Sequence, residues 1–302
     1  QDALAAAHYG DEIWVAEGTY KPDQGAGITE GDRTASFNLV NGVGIYGGFL
    51  GTEATRDPLG DANRTILSGE IDQNSSLWSL NVVKGTNLDA NTTLDGFRIT
   101  KGNANGSGVY ADGGGVYLRD SNLKVSNLVI TNNSASNGGG IYFHSEPHTD
   151  SQSSLTLTNC IFSNNSADNG GGGIFISDVH SDSQSSLTNC VFTNNSASNG
   201  GGIYFYSDSY SSITNCVFTN NSADNGGGGI FISDEHSDSQ PSLTNCVFTN
   251  NSASYGGGIS SSSSSSSSLI LTNCIFWKNS DEDIVGHGLD AAFRSFVLEE
   301  AV

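Results

Sequence analysis

Residues 188–196 read TNCVFTNNS, and the phrase returns unchanged at 214–222 and 244–252. Close variants stand at 158–166 (TNCIFSNNS) and 272–280 (TNCIFWKNS), and a version without cysteine, SNLVITNNS, stands at 126–134. The cysteines Cys160, Cys190, Cys216, Cys246 and Cys274 are 30, 26, 30 and 28 residues apart. Self-similarity at this period marks a solenoid, in which each repeat is one coil stacked on the last.

Within 187–212, Leu187, Cys190 and Phe192 form one set of side chains, and Thr188, Val191 and Thr193 the other. That is the period-two alternation of a strand with one face inward. Asn189 falls at a bend. Asn194 and Asn195 follow, and asparagine tolerates the left-handed backbone of a sharp corner. Ala197 is small enough to tuck under the next corner, and Asn199-Gly200 is a turn signal. Ile203 and Phe205 open a second inward face, with Tyr204 and Tyr206 outward, so one repeat reads as two strands and three corners.

A coil of this kind holds five or six apolar side chains. At about 2 kcal/mol each they do not offset an ordering entropy above about 1 kcal/mol per residue. Stacking supplies the difference. The expected fold is therefore all-β: a single-stranded, right-handed parallel β-helix over 1–302. Irregular coils fill 1–121, with a short helix at DALAAA (2–7). Regular coils fill 122–280. A cap or tail follows at 281–302, where LDAAFRSFVLEEAV (289–302) has the pattern of an amphipathic helix. The segments 11–19, 43–50, 64–71, 79–84, 94–100 and 114–119 read as strands of the irregular coils. The nine serines 260–268 fall in register with the second strand and its loop, and Ser261 then occupies an inward slot that it fills poorly.

The five cysteines share one inward position, taken earlier by Phe97 and Leu128, and form a column of buried free thiols. Buried cysteine behaves as a small hydrophobe, and parallel stacked side chains do not turn toward one another to pair.

The chain carries a net charge of −21, with no lysine or arginine between Lys124 and Lys278. Such a surface repels nucleic acid and anionic membranes, and no apolar run is long enough to span a bilayer. Composition points to an exported protein, and Gln1 falls partway into a helix-like segment, as though residues preceded it.

The FxxN element (Phe192 to Asn195, and likewise from Phe162, Phe218 and Phe248) followed by GGGI resembles the repeats of the chlamydial polymorphic outer-membrane proteins. The opening phrases GDEIWVAEGTYKP (10–22), NGVGIYGGFLGTE (41–53) and NRTILSGEI (63–71) are similar to the start of bacterial pectin-lyase-like β-helix proteins. The resemblance implies the right-handed β-helix fold and a bacterial, extracellular or cell-surface location. The families it joins include adhesins, lyases and hydrolases.

For catalysis, the regular coils offer no cation. Arg98, Lys101, Arg119 and Lys124 lie in earlier coils, where a base for a polysaccharide lyase can stand. Gly286-His287-Gly288 reads as a turn, and no catalytic residue is assigned. For a metal, three inserted loops share an acid-x-His-x-acid pattern: Glu146, His148 and Asp150; Asp178, His180 and Asp182; Asp234, His236 and Asp238. Carboxylates flanking an imidazole suit zinc or a similar ion, and carboxylates alone suit calcium. Sequons at Asn194, Asn220 and Asn250 arise from the corner phrase, and an inward asparagine there would form a ladder and carry no glycan.

The leading expectation is a non-enzymatic structural or adhesive rod whose partners are surface glycans, proteins or itself stacked head to tail as a fibre. The alternative is a carbohydrate-active lyase or hydrolase working in coils 44–124. A third is ice binding by outward columns of Thr188, Thr193, Thr214, Thr219, Thr244 and Thr249.

Overall fold

The structure, a computed structural model, describes residues 1–52, 65–71, 77–146, 153–178, 185–206, 211–233, 241–262, 269–280, 282–287, 292–293 and 296–298. Successive coils lay their strands into three long parallel sheets of ten, ten and nine strands, called here faces 1, 2 and 3, and one short sheet of five. The coil expected as two strands is in fact four: Ser186–Thr188 on face 1, Val191–Thr193 on face 2, Ser196–Asn199 on the short face and Ile203–Tyr206 on face 3. The extra divisions are a full corner at Asn189, within the first expected strand, and the strand Ser196–Asn199 after the expected corner at Asn194; φ of 54° and 55° turn the chain in a single residue at Asn189 and Asn194. Asparagine visits this left-handed region at lower cost than other side chains. One consequence bears on ice binding: Thr188 lies on face 1 and Thr193 on face 2, so the two threonine columns do not share a plane.

Inward residues stack in columns that are apolar through most of the regular coils. Leu187, Cys190, Phe192, Ile203 and Phe205 are all buried, as are their equivalents in neighbouring coils. On face 2, Phe162, Phe192, Phe218, Phe248 and Phe276 form a continuous pile, with ring centroids 4.8, 4.8, 4.6 and 4.7 Å apart and planes within 4° of parallel. That interval is the strand spacing itself.

At the second corner a ladder of buried asparagines runs Asn133, Asn165, Asn195, Asn221 and Asn251, and ends on the half-buried Asn279. Each Nδ2 donates to the next Oδ1 at 2.9–3.1 Å. It also donates to a backbone carbonyl one coil back, as Asn221 does to Phe192 at 3.0 Å. The sequon residues stand one place earlier. Asn194, Asn220 and Asn250 are exposed, so the inward asparagine is the second of each pair. A second ladder at the first corner joins the half-buried Asn127 to the exposed Asn159, Asn189, Asn215, Asn245 and Asn273.

The cysteine column is as expected: all five thiols are free and buried. Cys190, Cys216 and Cys246 each donate to the threonine carbonyl two residues back at 3.4 Å and stack on the thiol one coil below. The thiol contact, reinforced by burial, pushes their pKa up to about 12; the same causes raise Cys274. A thiol held protonated more firmly in the folded state than in the unfolded one stabilises the fold fully below its unfolded pKa, about 8.5. That stability is lost as pH rises from there through the folded value. The urea midpoint is therefore expected to fall from about pH 9 upward, and more steeply than in a variant with alanine at all four positions; parallel alkaline limbs would refute this.

Ser261 sits inward on face 3, opposite Ile232. It is 4% exposed and its hydroxyl has no hydrogen-bond partner. Ser261→Val removes an unsatisfied hydroxyl and adds apolar contact, so thermal unfolding should show a gain of about 1–3 kcal/mol.

At the start, the helix Asp2–Ala6 sets Leu4 against the first coils over an apolar cavity of about 360 Å³. At the other end the expected helix gives way to strands. Ala292–Phe293 pairs with Ile270 and Leu271, and Phe296–Leu298 pairs with Cys274–Phe276. The alternating pattern LDAAFRSFVL serves another rung as readily as a helix, and the open edge of the last coil supplies the partner. Gly286 and His287 belong to the strand Ile284–His287 and not to a turn.

Candidate functional site: a cationic cleft on face 3

Outward positions of face 3 form their own columns. Lys84 on Val83–Thr86 stands in register with Asn38 before it and Tyr117 after it. Arg119, two residues beyond Tyr117, follows Thr86 and precedes His144. A short 3-10 turn, Gly108–Tyr110, carries Tyr110 over this surface. Asn38, Leu39, Lys84, Gly85, Thr86, Tyr110, Tyr117 and Arg119 together line a cleft of about 310 Å³.

The lining holds two cations and no carboxylate. Lys84 Nζ lies 4.7 Å from the centre of the Tyr110 ring, a cation–π contact. Burial lowers the pKa of Lys84, because desolvation disfavours the ammonium. Burial likewise raises the Tyr117 phenol, with Arg119 opposing it. Arg119 Nε lies 3.5 Å from Asp120, yet it is buried without a hydrogen-bond partner.

One coil further, His144 Nε2 is 3.5 Å from Glu146, and His144 Nδ1 is also buried and unpartnered. Asp112 accepts a hydrogen bond from Asn137 Nδ2 at 2.8 Å, and burial raises its pKa. Beyond the cleft the outward column continues through Tyr117, Tyr142, Phe175, Tyr204 and Phe231, each ring 4.9–5.6 Å from the next.

Of the cations singled out in the early coils, only Arg119 reaches the cleft. Lys101 pairs with Glu70 at 2.5 Å. Arg98 lies on face 2, and Lys124 stands exposed on face 1. Lys84, Tyr110 and Tyr117 were not singled out by sequence. The available signal was the outward alternation of VKGT and VYLR, but aligning it needs the coil register.

Of the acid-x-His-x-acid loops, the structure describes the side chain of Glu146 alone. Its backbone N–H donates to Asp120 Oδ1 at 2.8 Å. Asp178 ends the strand Ile174–Asp178 beside Ser145. His148, Asp150, His180, Asp182, Asp234, His236 and Asp238 lie outside the described residues. Among the described residues no three of His, Cys, Asp and Glu gather as metal ligands, and no helix is long and apolar enough to cross a membrane.

Stacked parallel coils with this corner chemistry define a β-helix protein. Residues 114–297 match the family described as "Right handed beta helix region", and the chain belongs to that family. Among solved structures it is similar to an alginate lyase from Paenibacillus sp. str. FPU-7, at 13% identity and a TM-score of 0.34 over 96% of this chain and 95% of that one. It is also similar to the A-module of the Azotobacter vinelandii mannuronan C-5 epimerase AlgE4, at 12% identity and a TM-score of 0.30 over 99% and 91%. Neither likeness bears on what this chain does. No curated protein matches it.

Proposed function

We propose that this chain is a carbohydrate-active β-helix whose face 3 cleft takes an acidic polysaccharide. One observation carries the reading: a chain of net charge −21 gathers Lys84 and Arg119 in a cleft lined by no carboxylate. On a surface that otherwise repels anions, such a cleft focuses them.

The groups present suit proton abstraction beside a sugar carboxylate. Arg119 offers its fork to the carboxylate and makes the neighbouring C–H more acidic. The amine of Lys84, whose pKa burial lowers, is the base that accepts that proton. The Tyr117 phenol, held protonated, donates to the departing glycosidic oxygen. The C–H and C–O bonds break, a C=C bond forms, and the chain is cut by β-elimination.

The test is a panel of polyuronates and neutral glycans, read by the ultraviolet absorbance of the unsaturated product. Cleavage of a polyuronate is expected, with kcat/KM falling at least about tenfold in Arg119→Ala and in Lys84→Ala, or about 1.4 kcal/mol. Absence of both binding and cleavage across the acidic glycans would refute the reading.

A second reading, the structural or adhesive rod at a bacterial cell surface, draws support from the regular coils. Their outward columns repeat with no cation from 125 to 277, as suits a surface selected for display. Assembly end to end belongs to this reading, and monodisperse monomers at high concentration would count against it. Calcium or another divalent cation at the inserted loops is part of the same proposal, tested by calorimetry.

A further inference from the structure

A second cleft opens on face 1 at the first coils, lined by Tyr9, Gly10, Asp11, Glu12, Gly42, Gly44, Tyr46 and Asn91, with a volume of about 310 Å³. We infer that it binds a neutral hexopyranose unit, independently of the cationic cleft on face 3.

The walls are two tyrosine rings laid on bare backbone. A methyl group at Gly42 would fall 2.2 Å from the ring of Tyr9, and one at Gly44 would fall 2.6 Å from the ring of Tyr46. Glycine at these positions is thus what lets the rings lie down. Tyr9 is 61% exposed, an unusual outlay of aromatic surface. Its position is nevertheless fixed, because Asn91 Nδ2 donates to its hydroxyl at 2.6 Å. Trp14, 48% exposed, stands in register with Tyr46 and extends the aromatic surface.

The rim supplies acceptors. Asp11 Oδ2 is oriented by the backbone N–H of His8 at 2.7 Å, and Glu12 by the indole N–H of Trp14 at 3.1 Å. No lysine or arginine lines the cleft. Exposed aromatic faces take the C–H faces of a sugar ring, and fixed carboxylates take its hydroxyl protons. The same carboxylates repel uronates and phosphates. The volume lies at the small end of ligand clefts, which fits a sugar unit and not a protein helix.

The experiment is calorimetric titration of the whole chain with cellohexaose, mannohexaose and a hexauronate. At least one neutral hexasaccharide is expected to bind, with the affinity falling tenfold or more in Tyr9→Ala and staying within about threefold in Tyr9→Phe, which keeps the ring. Lys84→Ala and Arg119→Ala should leave it unchanged, which separates this site from the acidic-glycan reading. An unchanged melting curve for Tyr9→Ala shows that the fold is intact. No neutral binding at about 10 mM, or binding that survives Tyr9→Ala, overturns the inference.

Discussion

Asn221→Ala should lower the unfolding free energy by about 2–6 kcal/mol. The Asn221 amide makes four hydrogen bonds in a fully buried corner. Its Oδ1 accepts from Asn195 N at 3.1 Å and from Asn195 Nδ2 at 3.0 Å. Its Nδ2 donates to Phe192 O at 3.0 Å and to Asn251 Oδ1 at 2.9 Å. Alanine leaves the Asn195 backbone N–H and one Asn195 Nδ2 hydrogen without partners, and each such buried group costs about 1–3 kcal/mol. The adjacent Asn220 is the control. It is exposed, with φ of 55°, so Asn220→Gly should change stability by less than about 1 kcal/mol. Urea denaturation of the two variants side by side decides the matter. Equal effects would mean that the inner ladder contributes no more than the corner.

Phe218→Ala comes next, at about 3–5 kcal/mol. Phe218 lies midway in the face 2 pile, 4.8 Å from Phe192 and 4.6 Å from Phe248. The gap it leaves cannot close, because backbone pairing of Val217–Thr219 to the strands on both sides fixes the interval. In a solenoid each coil is coupled only to its neighbours. The weakened coil should therefore divide the rod, and calorimetry should show a broadened or double transition in place of one. Phe218→Leu, which fills most of the space, should restore a single transition. A sharp, unshifted transition in the alanine variant would show that the pile is not what couples the coils.

Both effects concern positions that the repeat phrase already marked. TNCVFTNNS told which residues are inward because strand alternation and repeat register are one-dimensional properties, and stacking like on like follows from them. The thiol column and the weak rung at Ser261 were legible for that reason; the corner pairs were too, but not that the second asparagine of each, and not the sequon residue, turns inward. Two features of the coil were harder to read. A single left-handed residue at Asn189 divides what reads as one bent strand, since the sequence marks it only as a skipped step between Leu187 and Cys190. At the end, Ala292–Phe293 and Phe296–Leu298 complete a rung where an apolar pattern of that length also suits a helix. The open edge beside it made the choice.

The sequence by itself determined the solenoid, its register and its buried columns, because identical coils in one chain have few ways to hide five or six apolar side chains each except against one another. The tertiary structure alone decided where a ligand can be met. Lys84, Tyr110, Tyr117 and Arg119 come from three coil segments of the irregular start, and Tyr9, Tyr46 and Asn91 from three more. Coil lengths there differ, so no period in the sequence says which outward residue stands above which. Only the hydrogen-bonded pairing of one coil on the next brings them together.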